Sequence, residues 1–335
     1  MKAIVISQFG IDNLEIKEVP SPSIGDNEVL VKHTAASLQY LDLIVVEGKI
    51  LNKDALPFIP VSEGVGVVER VGKNVTRWVK GDRVIIPFIP RWEAGKITAY
   101  ANQIRTGLQA PGTLCEYSAQ PENTLVKSPP NLTDEEVATL PVVGLTAWAS
   151  LVTQANIQAG QSILVQGSGG ISLFALQIAK AFGLKIIATT GSKEKEQKLK
   201  DLGADAVINY KEFPQWSSEV KRLNNGIGVD VTLDIAGSST IEQSILSVKE
   251  NGYVGLLGFL SGSKISFDAS LLIMNYVRLQ GYSVGNAKDL ADLTNAFEKN
   301  NIKPVIEIIF PFEKTKDAFQ KLKSGETFGK VVIKI

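Results

Sequence analysis

Between residues 162 and 183 the chain passes from an apolar strand pattern through Val165-Gln166-Gly167-Ser168-Gly169-Gly170-Ile171-Ser172 into a long apolar helix pattern that stops at Gly183. This succession of strand, glycine turn and helix constrains the fold more than any other feature. Glycine at 167 permits the tight turn. Glycine at 169 permits a close approach that a Cβ would block. A helix whose free N–H groups follow directly on such a turn can seat a pyrophosphate. Ser172 stands where a third glycine is usual, so the match to G-x-G-x-x-G is imperfect. Taken alone, the turn also suits an ordinary strand-to-helix connection; its surroundings favour dinucleotide binding. Strand patterns recur at 185–190, 205–210, 229–235, 253–258 and 278–284, with helical patterns such as 192–202 and 240–248 between most of them. That alternation predicts a doubly wound parallel sheet covered on both faces.

Upstream of about residue 130 the texture differs. Segments 1–7, 14–19, 29–36, 63–71, 83–87 and 114–119 read as strands separated by turn signals such as Gly25-Asp26 and Lys80-Gly81-Asp82. This is a β-rich, barrel-like pattern. The long connection 87–112 holds Trp92, Tyr100 and Arg105, and reads either as a functional loop or as a surface insertion. After the sixth strand of the alternating half, a helix at 287–299, a strand at 306–310, a helix near 314–323 and a strand at 330–335 can complete the N-terminal domain. The expected division is 1–128 with 286–335, and 129–285.

A length of 335 residues and an apolar fraction of 44% suit two folded domains. Lys plus Arg and Asp plus Glu are both 35, so there is no basic footprint for nucleic acid. No apolar run approaches the length expected of a bilayer span, and residues 1–6 read as a first strand rather than a signal peptide. Cys115 is the only cysteine, which excludes an intrachain disulfide. The expectation is a cytoplasmic enzyme with no membrane partner.

The chain resembles the medium-chain dehydrogenase/reductase superfamily, and most closely its zinc-free quinone-oxidoreductase and alcohol-dehydrogenase-like branch. The resemblance rests on residues 36–42, 63–68, 79–84, 112–117, 144–148 and 166–174, with Leu202-Gly203-Ala204-Asp205, 207–210 and Phe328-Gly329-Lys330-Val331-Val332. It implies a Rossmann domain, a discontinuous GroES-like substrate domain and hydride transfer. Zinc-dependent members place Cys, His and Cys-like ligands where this chain has Gln39, Ser62 and Val142, so no metal is expected. Glu63 alone does not make a site. His33 reads as a half-exposed strand residue and Cys115 as a small buried one.

The second strand of the alternating half ends Thr189-Thr190-Gly191-Ser192 without the carboxylate that would hold the ribose hydroxyls of NAD. Lys193 and Lys195 can neutralise a 2′-phosphate; they also fit a solvated helix face. By resemblance, Ser192, Lys195 and Tyr210 surround that phosphate, and NADPH is the expected coenzyme. Gly167, Ser168, Gly169, Gly170 and Ile171 form the pyrophosphate turn. Thr146, Gly258, Phe259 and Val284 match positions on the nicotinamide side.

Without a Lewis acid, alcohol oxidation loses its usual driving group, whereas a quinone or an α,β-unsaturated carbonyl can delocalise the incoming charge. Candidate hydrogen-bonding groups for that acceptor are Tyr40, Gln39 and Ser62; Tyr40 serves equally well as a packed aromatic. Asp42 matches a family position and reads as a structural hydrogen-bonding residue. The expected activity is hydride transfer from NADPH to a quinone or enone. The alternatives are a zinc-free alcohol or aldehyde oxidoreductase, and a non-catalytic protein that kept the coenzyme site. The apolar strand 278–284 is expected at the sheet edge, and family members pair it across a two-fold axis, which implies a homodimer or a tetramer of dimers.

Overall fold

The computed structural model describes residues 1–335. The chain divides into Met1–Leu145 with Gly285–Ile335, and Thr146–Val284. In chain order the first stretch contributes β1 (Lys2–Ile6), β2 (Leu14–Glu18), β3 (Glu28–Leu38), α1 (Tyr40–Val46), β4 (Glu63–Val71), β5 (Arg83–Ile86), β6 (Tyr117–Pro121), β7 (Val126–Lys127) and α2 (Asp134–Val137). β3 organises this unit. It pairs antiparallel with β4 along most of its length and with β6 through Glu28–Lys32. Val29, Val31 and His33 alternate inward along its first half, as period-two patterning requires, and Ala35–Leu38 are buried outright. His33 is therefore 2% exposed rather than half-exposed; its Nε2 lies 2.7 Å from Ser118 Oγ. Residues 114–116, read as the start of a strand, bond instead to β1: Ile4 N–H donates to Leu114 O and Glu116 N–H to Lys2 O.

The middle stretch holds α3 (Leu145–Trp148), β8 (Ser162–Gln166), α4 (Gly170–Ala181), β9 (Lys185–Thr190), α5 (Lys193–Leu202), β10 (Ala206–Asn209), α6 (Trp216–Leu223), β11 (Val229–Asp234), α7 (Ile241–Ser247), β12 (Val248–Leu256), α8 (Ser270–Asn275) and β13 (Arg278–Gly281). The strand order is β10-β9-β8-β11-β12-β13, with every neighbour parallel. The direction of winding reverses between β8 and β11, and in such sheets ligands bind beyond the strand C-termini at that reversal. The glycine turn follows β8 at this point. Buried Leu164, Ile187, Val254, Trp216 and Ile245 belong to one apolar cluster; each large side chain so buried contributes about 1.5–3 kcal/mol. β13 is shorter than expected and lies at the sheet edge, with exposed Ile273, Met274 and Tyr276 just before it.

The last stretch supplies α9 (Ala287–Lys299), β14 (Ile306–Pro311), α10 (Thr315–Lys323) and β15 (Lys330–Lys334). β15 pairs antiparallel with the second half of β3, Val331 opposite Leu38 and Val332 opposite Ser37. The returning chain thus extends the N-terminal sheet.

One helical run departs from the sequence expectation. Residues 134–154 form 21 helical residues apolar enough by length and composition to cross a membrane, although no run of that kind was expected. In this structure 83% of its apolar window is buried inside the protein, as for a core helix. Its winding widens to π turns at Leu140–Gly144 and Ala149–Gln154. Pro141 has no N–H to give, and the N–H groups of Val142 and Val143 donate to the Glu63 carboxylate. That bonding places 129–145 with the N-terminal unit, whereas the sequence grouped it with the nucleotide domain.

Candidate active site

The glycine turn leaves room. Gly167 has φ +74°, a backbone conformation that only glycine adopts without cost. Gly169, at the N-cap of α4, has ordinary extended angles, and a Cβ there would meet nothing within 4 Å. Nothing inside the protein demands glycine at 169. Ser172 explains the imperfect motif. It is buried, and its hydroxyl donates to the carbonyl of Gln166, so helix and strand still meet closely around a small side chain. Below the turn, Gln166 Nε2 donates to Ser244 Oγ at 2.6 Å. Ser244 Oγ in turn donates to Asp234 Oδ2 at 2.5 Å. Asp234 Oδ1 also accepts from the N–H of Gly237 at 2.7 Å, tying β8, β11 and α7 together.

At the end of β9 no carboxylate is present. Gly191 packs beneath Tyr210, whose hydroxyl would lie 2.5 Å from an added Cβ, and Tyr210 N–H donates to Thr190 O. Ser192 stands at the N-cap position of α5, which carries Lys195; Lys193 pairs with Glu212 at 3.3 Å on the surface. Thr146 is buried, and its hydroxyl donates to Ser283 O at 2.9 Å, so it fixes the backbone next to buried Val284. A Cβ at Gly258 would lie 2.3 Å from Ile235 O, and the neighbouring Phe259 is exposed. The residues named from sequence thus gather as the glycine turn, the Gly191–Tyr210 corner, and the Thr146–Ser283 link.

The N-terminal unit presents the opposite arrangement at Gln39, Ser62 and Val142. Gln39 Nε2 donates to Ser62 Oγ at 2.8 Å, and Ser62 Oγ donates to Asp42 Oδ1 at 2.8 Å. Asp42 Oδ1 also accepts Ser62 N–H at 3.0 Å, and Oδ2 accepts Gln39 N–H at 2.9 Å, the latter capping α1. Beside them Glu63 Oε1 takes the Val142 and Val143 N–H groups at 3.1 and 2.7 Å, while Oε2 lies 2.5 Å from Lys330 Nζ. Both members of that ion pair are buried. Burial, then the charge of Glu63, pushes the Asp42 carboxyl up to about 7. Burial also pushes the Glu63 carboxyl up, against the Lys330 ammonium that favours its charged form.

A metal does not fit this set. No group of three His, Cys, Asp or Glu side chains converges anywhere in the chain. Val142 carries only methyl groups. The carboxylate oxygens nearest the family's metal positions already accept from N–H, hydroxyl or ammonium donors. Ser62, read from sequence as a possible donor to substrate, is fully buried with its single hydrogen given to Asp42, so it stands behind Gln39. Gln39 is half-buried and Tyr40, at the first turn of α1, is 38% exposed; these two reach outward. Cys115 is buried and its thiol is pushed up to about 12, in keeping with an inert packing role.

Two features were not visible in sequence. Val61 has φ +79°, an outlier for a β-branched residue. Its carbonyl accepts Thr113 N–H at 2.8 Å, and added Cβ atoms at Gly107 and Gly112 would strike it at 2.8 and 2.3 Å. The end of the 87–112 connection is therefore built against the backbone that delivers Ser62. The other is Lys330. Its run Phe328-Gly329-Lys330 was recognised, but its pairing with Glu63, 267 residues away, leaves no local signal.

A six-stranded parallel sheet with an open glycine turn at its winding reversal, joined in one chain to a GroES-like unit, defines an NAD(P)-dependent oxidoreductase. A family profile described as alcohol dehydrogenase GroES-like domain matches residues 25–130, and one described as zinc-binding dehydrogenase matches 170–299. A zinc-type alcohol dehydrogenase-like protein of Schizosaccharomyces pombe is 35% identical over 97% of this chain and 96% of its own length. An acryloyl-coenzyme A reductase of Sulfurisphaera tokodaii is 29% identical over 100% of both chains. The crystal structure of a Sinorhizobium meliloti 1021 protein assigned as an alcohol dehydrogenase superposes with a TM-score of 0.94 at 39% identity, covering 100% of this chain and 98% of that one. The chain belongs to the medium-chain dehydrogenase/reductase superfamily.

Proposed function

We propose that this protein reduces a quinone or an α,β-unsaturated carbonyl with NADPH, and does so without zinc. The observation that carries the reading is the closed hydrogen-bond network at Gln39, Ser62 and Asp42, which occupies the family's metal positions with groups already bonded to each other. Bound NADPH supplies a hydride. This chain's residues do the rest. The N–H groups opening α4 receive the pyrophosphate, and Ser192, Lys195 and Tyr210 receive the 2′-phosphate where β9 ends without a carboxylate. Thr146, Gly258, Phe259 and Val284 border the nicotinamide side. Gln39 and Tyr40 hydrogen-bond the acceptor's oxygen as charge develops there. A conjugated acceptor spreads that charge and requires less of these neutral donors than a simple alkoxide would. The acryloyl-coenzyme A reductase among the relatives supports this choice of acceptor. The alcohol-dehydrogenase-like relatives favour a second reading, a zinc-free alcohol or aldehyde oxidoreductase.

A substrate panel tests both. Purified protein with NADPH is assayed against a quinone, an enone, an enoyl thioester, an aldehyde and an alcohol, with and without prior treatment by a strong chelator. Turnover of a conjugated acceptor that survives chelation is the expected result. Activity confined to alcohol and aldehyde selects the second reading, and activity lost with one zinc per chain overturns the zinc-free assignment.

A further inference from the structure

With Asp42 ionised, the Gln39–Ser62–Asp42 chain has only one consistent arrangement of hydrogens. An ionised carboxylate accepts and cannot donate, and a serine hydroxyl has one hydrogen. Asp42 Oδ1 receives both the N–H and the O–H of Ser62, at 3.0 and 2.8 Å. With its hydrogen committed, Ser62 Oγ can only accept, and its remaining partner is the Gln39 side chain at 2.8 Å. The Gln39 amide must therefore turn its NH₂ group inward. Reversing it would set two acceptor oxygens against each other at the cost of a buried hydrogen bond. The chain is also anchored from behind. Val61 keeps its left-handed backbone immediately before Ser62, and Thr113 Oγ donates to Glu63 O at 2.7 Å immediately after it. Strain kept at one residue by the packing around it marks a position the fold over-determines. Ser62 and Asp42 are 0% and 1% exposed, so neither meets a substrate directly; Gln39 is the member of the chain that reaches outward.

We propose that Asp42 and Ser62 are positioning residues that act on the acceptor solely through Gln39, by locking which face of its amide the acceptor meets. This rests on the reductase reading above. Asparagine at 42 would have the same shape but would have to turn an NH₂ toward either Ser62 or the Gln39 N–H, so one donor would lose its acceptor and the lock would open.

The experiment is a mutant cycle on turnover of a conjugated acceptor at saturating NADPH, with coenzyme affinity and melting temperature followed in parallel. Ser62→Ala is expected to lower kcat about tenfold with coenzyme affinity unchanged, the range usual for a group that orients a neighbour in a site. Gln39→Ala is expected to lose at least as much. The double variant should be no slower than Gln39→Ala alone, because Ser62 has nothing left to orient. Asp42→Asn, which keeps the side-chain volume, provides a second cycle with the same expectation should Ser62→Ala be poorly folded. A merely structural role predicts a different result: Ser62→Ala would cost the same factor with or without Gln39, in step with melting temperature. That outcome, or no effect in the wild-type background, overturns the positioning role while leaving the reductase reading intact. A wild-type protein that reduces no conjugated acceptor removes both.

Discussion

The glycine turn after β8 and the polar chain behind Gln39 differ in what they leave free. At Gly169 a side chain could be added without touching the protein. At Asp42 each carboxylate oxygen already accepts from a backbone N–H, and Oδ1 takes a hydroxyl as well. The turn thus tolerates added bulk as far as the protein's own packing is concerned. In the polar chain the partners have closed on each other. The two regions should respond differently to perturbation. Substitution at the turn should remove binding and spare the fold, whereas substitution of a buried titratable side chain in the N-terminal unit should alter stability and its dependence on pH.

The largest expected effect breaks the turn alone. Gly169→Val adds a branched side chain in open space at extended backbone angles, so the melting temperature should hardly move. NADPH affinity should fall at least about a thousandfold, because the added bulk occupies the approach to the pyrophosphate. Calorimetric titration checks it; wild-type affinity would show that the free space is not the coenzyme's.

The next effect belongs to His33, a buried titratable side chain on β3 of the N-terminal unit. Burial holds His33 down at about 4 from its ordinary 6.5, because the folded protein disfavours the charged imidazole. A base with a depressed folded pKa contributes stability above the unfolded value and loses it as pH falls from about 6.5 to 4. The loss amounts to about 3 kcal/mol. His33→Gln should remove that component, so urea unfolding at pH 7.5 and pH 4 should show a smaller acid loss in the variant. Equal losses would assign the acid sensitivity to other groups.

The smallest effect sharpens the coenzyme assignment. Lys195→Ala should weaken NADPH about tenfold and leave NADH unchanged, since only the 2′-phosphate gains a charge-assisted contact. Equal weakening of both coenzymes would place Lys195 elsewhere.

The same contrast accounts for what the sequence made legible. β4, β8, β9 and α9 lie at the residues expected of them, because clean periodicity and turn residues mark both ends. The glycine turn was readable because a bound phosphate imposes local requirements on consecutive residues. Helix 134–154 was not, since burial on most faces erases amphipathic periodicity and Pro141 reads as a breaker although the Glu63 carboxylate accepts the N–H groups of the two residues after it. α1 has the same difficulty in shorter form: five of its seven residues are buried. In the site, Gln39, Tyr40 and Ser62 could be named by position, but that Ser62 lies behind Gln39 depends on three-dimensional depth. His33 was misjudged for the same reason, since a strand's alternation shows which face a residue takes and not whether that face is covered.

The distance along the chain between Glu63 and Lys330 has a consequence for how the protein is made. At the usual pace of synthesis, a separation of 267 residues corresponds to a delay on the order of ten to fifty seconds. Throughout that interval the nascent N-terminal sheet lacks β15 and the ammonium that balances its buried carboxylate. A buried charge left without its partner costs about 3–5 kcal/mol, a large share of a domain's stability. The stretch 146–284 needs nothing from downstream to complete its sheet. On the ribosome the segment begun first therefore waits for the last strand to be made before its sheet is complete.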